Sequence, residues 1–465
     1  MKRVKLVIPV LIAASLLSGC TIKGHFWRYW GHNSGNGMDM SYDTTQKDES
    51  NTGLLERIMK EATPTPTETP TPTPAPTATP TPTPIPTEPI PQGMIKSDIT
   101  GEYIPDTFKN KRPMAFMIDN VSGAIPQSGI SQASMYFEAT VEGSLTRMMA
   151  VFEDYSNLPR VGPLRSCRDY FVSLAAGLDE LYVHYGQAAY ALPYLESDDV
   201  DNLSGLAWYT DQVFFRDNSF HSAPHNAYAN SEGLLRGIEI RGYRTEHYDG
   251  YKPQYKFHWV GKESNFENGQ DAAFVALGYP YNQPKFYYQP DSGLYLREEY
   301  GAPHIDVENG EQIAVKNIII EFQNYANYQE SQYLHFDTTA GGKGKYITNG
   351  KAIDITWERP SFYEPVTYKT LDGKVLELNT GKTFVCLVQN ENIRACQFGA
   401  SEETATCCVS EEEAAAAEVY NEEWRAAYKY GEDPYLSIMA QERDAAIASH
   451  GGQSKVQVGM GNGDF

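Results

Sequence analysis

Apolar and polar positions fall into blocks along the middle of the chain. "RPMAFMIDN" (112–120) is an apolar run ending in two polar residues, the pattern of a buried strand entering a turn. "SMYFEATVEG" (134–143) and "TRMMAVFED" (146–154) predict two more strands. "CRDYFVSLAAGLDE" has helical spacing, with Ser166 as the expected N-cap. "LYVHYG" returns to a strand, and "SAPHNAYANSEGLLRGIEI" contains a second helix. From about residue 250 the texture changes. "PKFYYQPDSGLYLREEYG" predicts a strand–turn–strand unit with Asp291-Ser292-Gly293 at the turn. "KNIIIEFQNY", "QYLHFDTT", "KAIDITWER", "VTYKTLDGKVLELN" and "KTFVCLVQ" follow, separated by Gly, Asn and Asp.

The fold class expected is α+β. A mixed α/β first head domain spans 94–249, and a β-rich second domain spans 250–399. Residues 400–465 read as an acidic helical extension and flexible tail. Ser410 and Glu413 form a capping box, and Asp433-Pro434 starts a second helix.

The N-terminus has a different character. Lys2, Arg3 and Lys5 precede the apolar "LVIPVLIAASL", which is too short to span a bilayer comfortably. It ends in Leu17-Ser18-Gly19-Cys20, which resembles a bacterial lipobox. Residues 1–20 are thus expected to be a lipoprotein signal peptide, with Cys20 as the lipidation site and the membrane as a partner through that lipid. In the membrane-proximal segment 21–61, Trp27, Tyr29 and Trp30 suit the headgroup level. Residues 62–93 form a Thr/Pro-rich stalk. Proline favours extended polyproline II, so such a stretch reaches on the order of 90 Å at roughly 3 Å per residue. The head is expected on the outer face of the cytoplasmic membrane, projecting into the wall.

Composition narrows the partners. The chain has 465 residues, 41% of them hydrophobic, enough for a packed core. Its formal net charge of −22 opposes nucleic acid, which is not expected as a partner. No cofactor is implied. Beyond Cys20 there are Cys167, Cys386, Cys396, Cys407 and Cys408. "TFVCLVQNENIRACQF" reads as a hairpin that sets Cys386 opposite Cys396, as a cross-strand disulfide or as two buried thiols.

Polar residues with chemical potential concentrate in the first head domain: Glu138, Glu142, Arg147, Arg165, Arg168, His184, Arg216, His221, His225 and Asn226. In one reading they form an anion site, because guanidinium forks suit carboxylate or phosphate and a helix N-terminus near Ser166 adds amide donors. In the opposing reading, Glu138 and Glu142 neutralise the arginines internally. Acid–base hydrolysis by Glu138 or Glu142 with His184 is a third arrangement. A Cys167 thiolate with His184 as base is a fourth. His221 and His225 have the spacing of two metal ligands, but Pro224 and the absence of HExxH argue for a loop and no metal. Trp357, Phe362 and Tyr363 read as core aromatics or as a sugar-stacking surface.

"KRPMAFMIDN", "PQSGISQASMYFEATVEGSLTR", "VGPLRSCRDYF" and "SAPHNAYAN" occur in this order, followed by "SGLYLREEYGAPHID", "VKNIII" and "GKGKYITNGKAIDITWERPSFYEP". This series resembles the YerB-like lipoproteins over most of residues 111–389. The resemblance implies two associated domains behind a lipid anchor, mainly in Gram-positive bacteria, with no established reaction. Glu142, Arg147, Arg165 and Arg168 match that pattern. Cys167 stands where the family usually carries a small residue, which weakens the thiolate reading. The function expected is a lipid-anchored, extracytoplasmic protein that binds or supports a cell-envelope component, with peptidoglycan or teichoic acid as the candidate partner. The alternative is an envelope glycan or peptide hydrolase using Glu138/Glu142 with His184.

Overall fold

Strands buried on both faces build the centre of the head, and their residues divide by parity between two cores. The computed structural model describes residues 88–328 and 332–427. The signal segment, Cys20, the aromatic stub, the stalk up to residue 87, the second C-terminal helix and the tail lie outside these residues. The first segment supplies β1 (Met114–Asp119), β2 (Met135–Thr140), β3 (Thr146–Phe152), α1 (Asp169–Gly177), β4 (Leu181–His184), β5 (Asn202–Ser204) and α2 (Ser231–Arg241). The second supplies β6 (Asn317–Gln323), β7 (Gly342–Thr348), β8 (Lys351–Glu358) and β9 (Thr383–Gln389). Helices thus concentrate in the first segment, and the second is rich in strands, as the sequence pattern predicts.

One 11-stranded sheet runs through both segments, with β8-β7-β6-β9-β2-β3-β1-β4-β5 in lateral order. The join is a parallel pairing of β9 with β2, from Thr383 opposite Met135 to Leu387 opposite Ala139. Phe116, Ile118, Met148, Ile320 and Phe384 enter the core on one face. Their chain neighbours Ala115, Met117, Met149, Ile319 and Val385 enter the core on the other. That alternation follows from the period of two along a strand, and continuous apolar runs mark strands covered on both sides. A second, seven-stranded sheet contains Lys285–Gln289, Leu294–Glu299 and Gln397–Gly399.

The acidic extension begins as α3 (Glu411–Ala427). The capping box forms as expected: Ser410 Oγ accepts from Glu413 N at 3.2 Å, and Ser410 N donates to the Glu413 carboxylate at 3.2 Å. The helix docks on the head, where Asn421 accepts from Tyr325 N and Arg425 donates to the Tyr325 carbonyl.

Two local expectations are corrected. First, α1 starts at Asp169 with Arg168 at its N-cap, so Ser166 does not cap it. Residues 165–167 are held extended instead: Arg165 N donates to Met117 O, and Cys167 N donates to Gly186 O. Second, no hairpin carries Cys386 and Cys396. Residues 390–395 form a 3₁₀ turn, which sends the chain into the other sheet. Both thiols are free and buried, and Cys386 lies between Glu138 and Ile320 of the flanking strands.

Candidate functional site

The site is built where β1 and β3 end together. Asp119 closes β1 and pairs directly with Arg147 near the start of antiparallel β3. Side chains so opposed share a face, with Cβ atoms roughly 5 Å apart. The extended "LRSC" stretch runs beside β1 and brings Arg165 to Asp119, Nε to Oδ2 at 3.2 Å. His225 donates from Nδ1 to the same oxygen, Oδ2, at 2.7 Å. Asp119 is 1% exposed, so these two partners satisfy a carboxylate that would otherwise be costly to bury.

Arg168 has its own carboxylate. Glu142 opens the tight turn between β2 and β3, where Gly143 takes φ of +68°. Arg168 Nε bonds Glu142 Oε1 at 2.9 Å, and Nη2 bonds Oε2 in a forked pair. Burial alone would raise the Glu142 pKa, but Arg168 outweighs it and holds the carboxyl below its usual value. The Arg168 guanidinium also lies 5.1 Å from the Tyr333 ring centre, which adds a cation–π contact from the second segment.

Arg147 is placed differently. Among the described residues its one hydrogen bond is Nη1 to the Ser166 carbonyl at 2.5 Å, and no carboxylate lies within ion-pair distance. Its pKa is pushed down to about 10, first by burial and then by repulsion from Arg168. It therefore stays charged at neutral pH. All three arginines, Asp119, Glu142 and His225 line one cavity of about 480 Å³, with Gln187 and with Tyr281 and Tyr333 of the second segment. Among the described residues, three guanidiniums and two carboxylates line this recess, where a low-dielectric wall strengthens their fields.

The structure thus brings together Glu142, Arg147, Arg165, Arg168 and His225, and places the other candidates elsewhere. Glu138 is fully buried behind the cavity. Arg297 Nη2 donates to it at 2.9 Å and to Glu299 at 3.1 Å, and Asn120 and Asn282 donate to both carboxylates. Burial raises the Glu138 pKa, opposed by Arg297 and reinforced by Glu299. This cluster ties β2 to the seven-stranded sheet. His184 is also fully buried, with Nδ1 against the Gly186 carbonyl at 2.8 Å and Nε2 against Asn202 at 3.2 Å. With both nitrogens engaged, it is no base for either glutamate. The Cys167 thiol is pushed up to about 12, chiefly by burial, which removes the nucleophile reading.

Arg216 bonds Asn226 Oδ1 at 2.5 Å and lies over the Tyr185 ring. His221 bonds the Pro126 carbonyl at 3.0 Å. These contacts fix the loop that carries His225, and Arg216, His221 and Asn226 do not line the cavity. Among the described residues no group of three or more side chains could hold a metal. Trp357 is core, Phe362 stacks on Tyr194, and of the three aromatics only Tyr363 is exposed. Sequence reasoning missed Asp119. The signal was the polar end of "FMIDN", where an otherwise apolar buried strand finishes on a carboxylate.

Residues 99–244 match the domain described as "Protein of unknown function (DUF3048) N-terminal domain", and residues 275–385 match its C-terminal counterpart. The Bacillus subtilis protein named "Putative lipoprotein YerB" is 30% identical over 300 residues, covering 63% of this chain and 86% of the relative. The chain belongs to the DUF3048 family. A crystal structure of YerB from Bacillus subtilis is similar in fold, with a TM-score of 0.56 and 29% identity over 63% of this chain and 96% of that one. The family match spans both segments and includes every arginine of the cavity.

Proposed function

We propose that this chain is a lipid-anchored, extracytoplasmic binding protein whose arginine-lined cavity takes an anionic group, carboxylate or phosphate, of a cell-envelope component. The observation that carries this reading is Arg147: a charged guanidinium at a cavity wall, with the neighbouring carboxylates committed to Arg165, His225 and Arg168. The lipobox ending at Cys20 and kinship with a protein named as a lipoprotein support the anchor. The stalk would carry the head away from the membrane and toward wall polymers, of which peptidoglycan peptides and teichoic acids are anionic. A hydrolase built on Glu138 or Glu142 with His184 gains no support, since these groups share no cleft.

The test uses the chain from residue 85 onward, which forms one compact unit. Binding to purified wall fragments is measured for wild type and Arg147→Gln. Loss of binding with a melting temperature shifted by no more than about 4 °C is expected. Equal retention on the wall would refute the cavity as the site. For the anchor, Cys20→Ala should release the chain from membranes into the soluble fraction, and retention in the membrane pellet would exclude lipid as the tether.

A further inference from the structure

The cavity holds a second chemical group beside its open guanidinium. His225 donates from Nδ1 to Asp119 Oδ2 at 2.7 Å, and that bond fixes where the ring proton sits. A neutral imidazole has one donor and one acceptor, so Nε2 is left as an acceptor. Among the described residues Nε2 has no hydrogen-bond partner, and the ring lines the cavity. Gly123 keeps its flank open: a Cβ there would come within 3.6 Å of Nε2. Asp119, which holds the ring, sits directly opposite Arg147 on the adjacent strand. Acceptor and cation are therefore both tied to one residue pair and are presented to the same space.

An anion alone satisfies Arg147 and leaves Nε2 bare. A ligand that fills both must carry a hydrogen-bond donor next to its negative group. We infer that the cavity selects anions bearing such a neighbouring donor, with Arg147 taking the charge and His225 accepting the hydroxyl or amide hydrogen. This rests on the anion-binding reading above and narrows it. Two envelope sources share the chemistry: a polyol phosphate with a free hydroxyl, and a peptide carboxylate with the amide N–H that precedes it.

Isothermal titration at pH 8 with matched probes tests it. Glycerol 3-phosphate is compared with propyl phosphate, and N-acetyl-D-alanine with its N-methylated counterpart. In the pair that matches the natural source, the donor-bearing member should bind roughly tenfold tighter, the value of one well-made hydrogen bond. His225→Phe should shrink that preference to less than about twofold, read as the ratio of the two members' affinities so that any loss common to both through Asp119 cancels. Gly123→Val, which fills the flank of Nε2 without touching the Asp119 pair, should do the same. Arg147→Gln should remove binding of both members. Equal affinities in wild type, or a preference that survives both His225→Phe and Gly123→Val, would overturn the inference and leave the anion site standing. If no probe of either pair binds the wild type, both readings fall.

Discussion

Asp119 and Arg147 face each other across neighbouring strands, yet Asp119 forms its ion pair with Arg165 and accepts a hydrogen bond from His225. The carboxylate opposite is thus spent on other partners, and the guanidinium lines the cavity. Whether an arginine here serves the fold or a ligand depends on this partition, and it differs from one arginine to the next.

Arg147 and Arg168 should accordingly behave as opposites. Arg147→Gln forfeits one hydrogen bond and relieves a buried charge, so stability should move by only about 1 kcal/mol while affinity for an anionic ligand falls at least roughly tenfold. Arg168→Ala strands Glu142 without its forked partner and should cost on the order of 3 kcal/mol. Urea titration beside a binding measurement decides between them. Equal destabilisation by the two variants would mean that Arg147 is structural.

The buried cluster around Arg297 makes a second stability prediction. Arg297→Leu leaves Glu138 and Glu299 buried together with no cation, at a cost of about 3–5 kcal/mol. Because the cluster lies behind the cavity, equilibrium unfolding should report the loss directly. A change below about 1 kcal/mol would mean that the two carboxyls share protons and do not need the arginine.

Glu153 gives the stability a pH dependence. Its carboxyl is pushed up to about 7, first by burial, against the hydrogen bond it accepts from Ser97 at 2.7 Å. A carboxyl with a raised folded-state value favours folding while it holds its proton. Its contribution is complete below the ordinary glutamate value and is lost as pH rises through about 7. Between pH 5 and pH 8 the wild type should lose on the order of 2 kcal/mol that Glu153→Gln does not. Parallel melting curves for the two proteins across that range would contradict the assignment.

The cysteines offer a chemical check. Cys167, Cys386, Cys396, Cys407 and Cys408 are all free, so a reductant should leave the melting temperature unchanged. Thiol titration of the chain from residue 85 in denaturant should find all five. A count lower by two would restore a disulfide.

Much of this was legible from residue patterns. Period-two and apolar runs located β1, β2, β3 and β9, because a strand buried on both faces admits little else. The arginine cluster of the site was also visible in "SLTR" and "VGPLRSCRDYF". The pairing of charges was not. Nothing local links Glu138 to Arg297, or Asp119 to His225, since both contacts depend on which strand ends meet in space. The same ignorance misplaced the start of α1. Ser166 suits a cap by type, but the strand-like bonds of Arg165 and Cys167 hold that stretch extended, and tertiary pairing overrides the local preference. The "NEN" turn misled for a related reason. It resembles a hairpin loop but transfers the chain from one sheet to the other.

The parallel pairing of β9 with β2 also sets a timetable. Met135 finds Thr383 only after nearly all of the intervening chain has been made. Until then β2 is an open edge with unpaired amides and carbonyls, and such edges recruit whatever strand comes near. Long-range pairings form slowly because the loop between them must be closed first. The newborn chain therefore passes through a stage in which its first half can zip onto the wrong partner, and a holding chaperone would find its natural substrate at that stage.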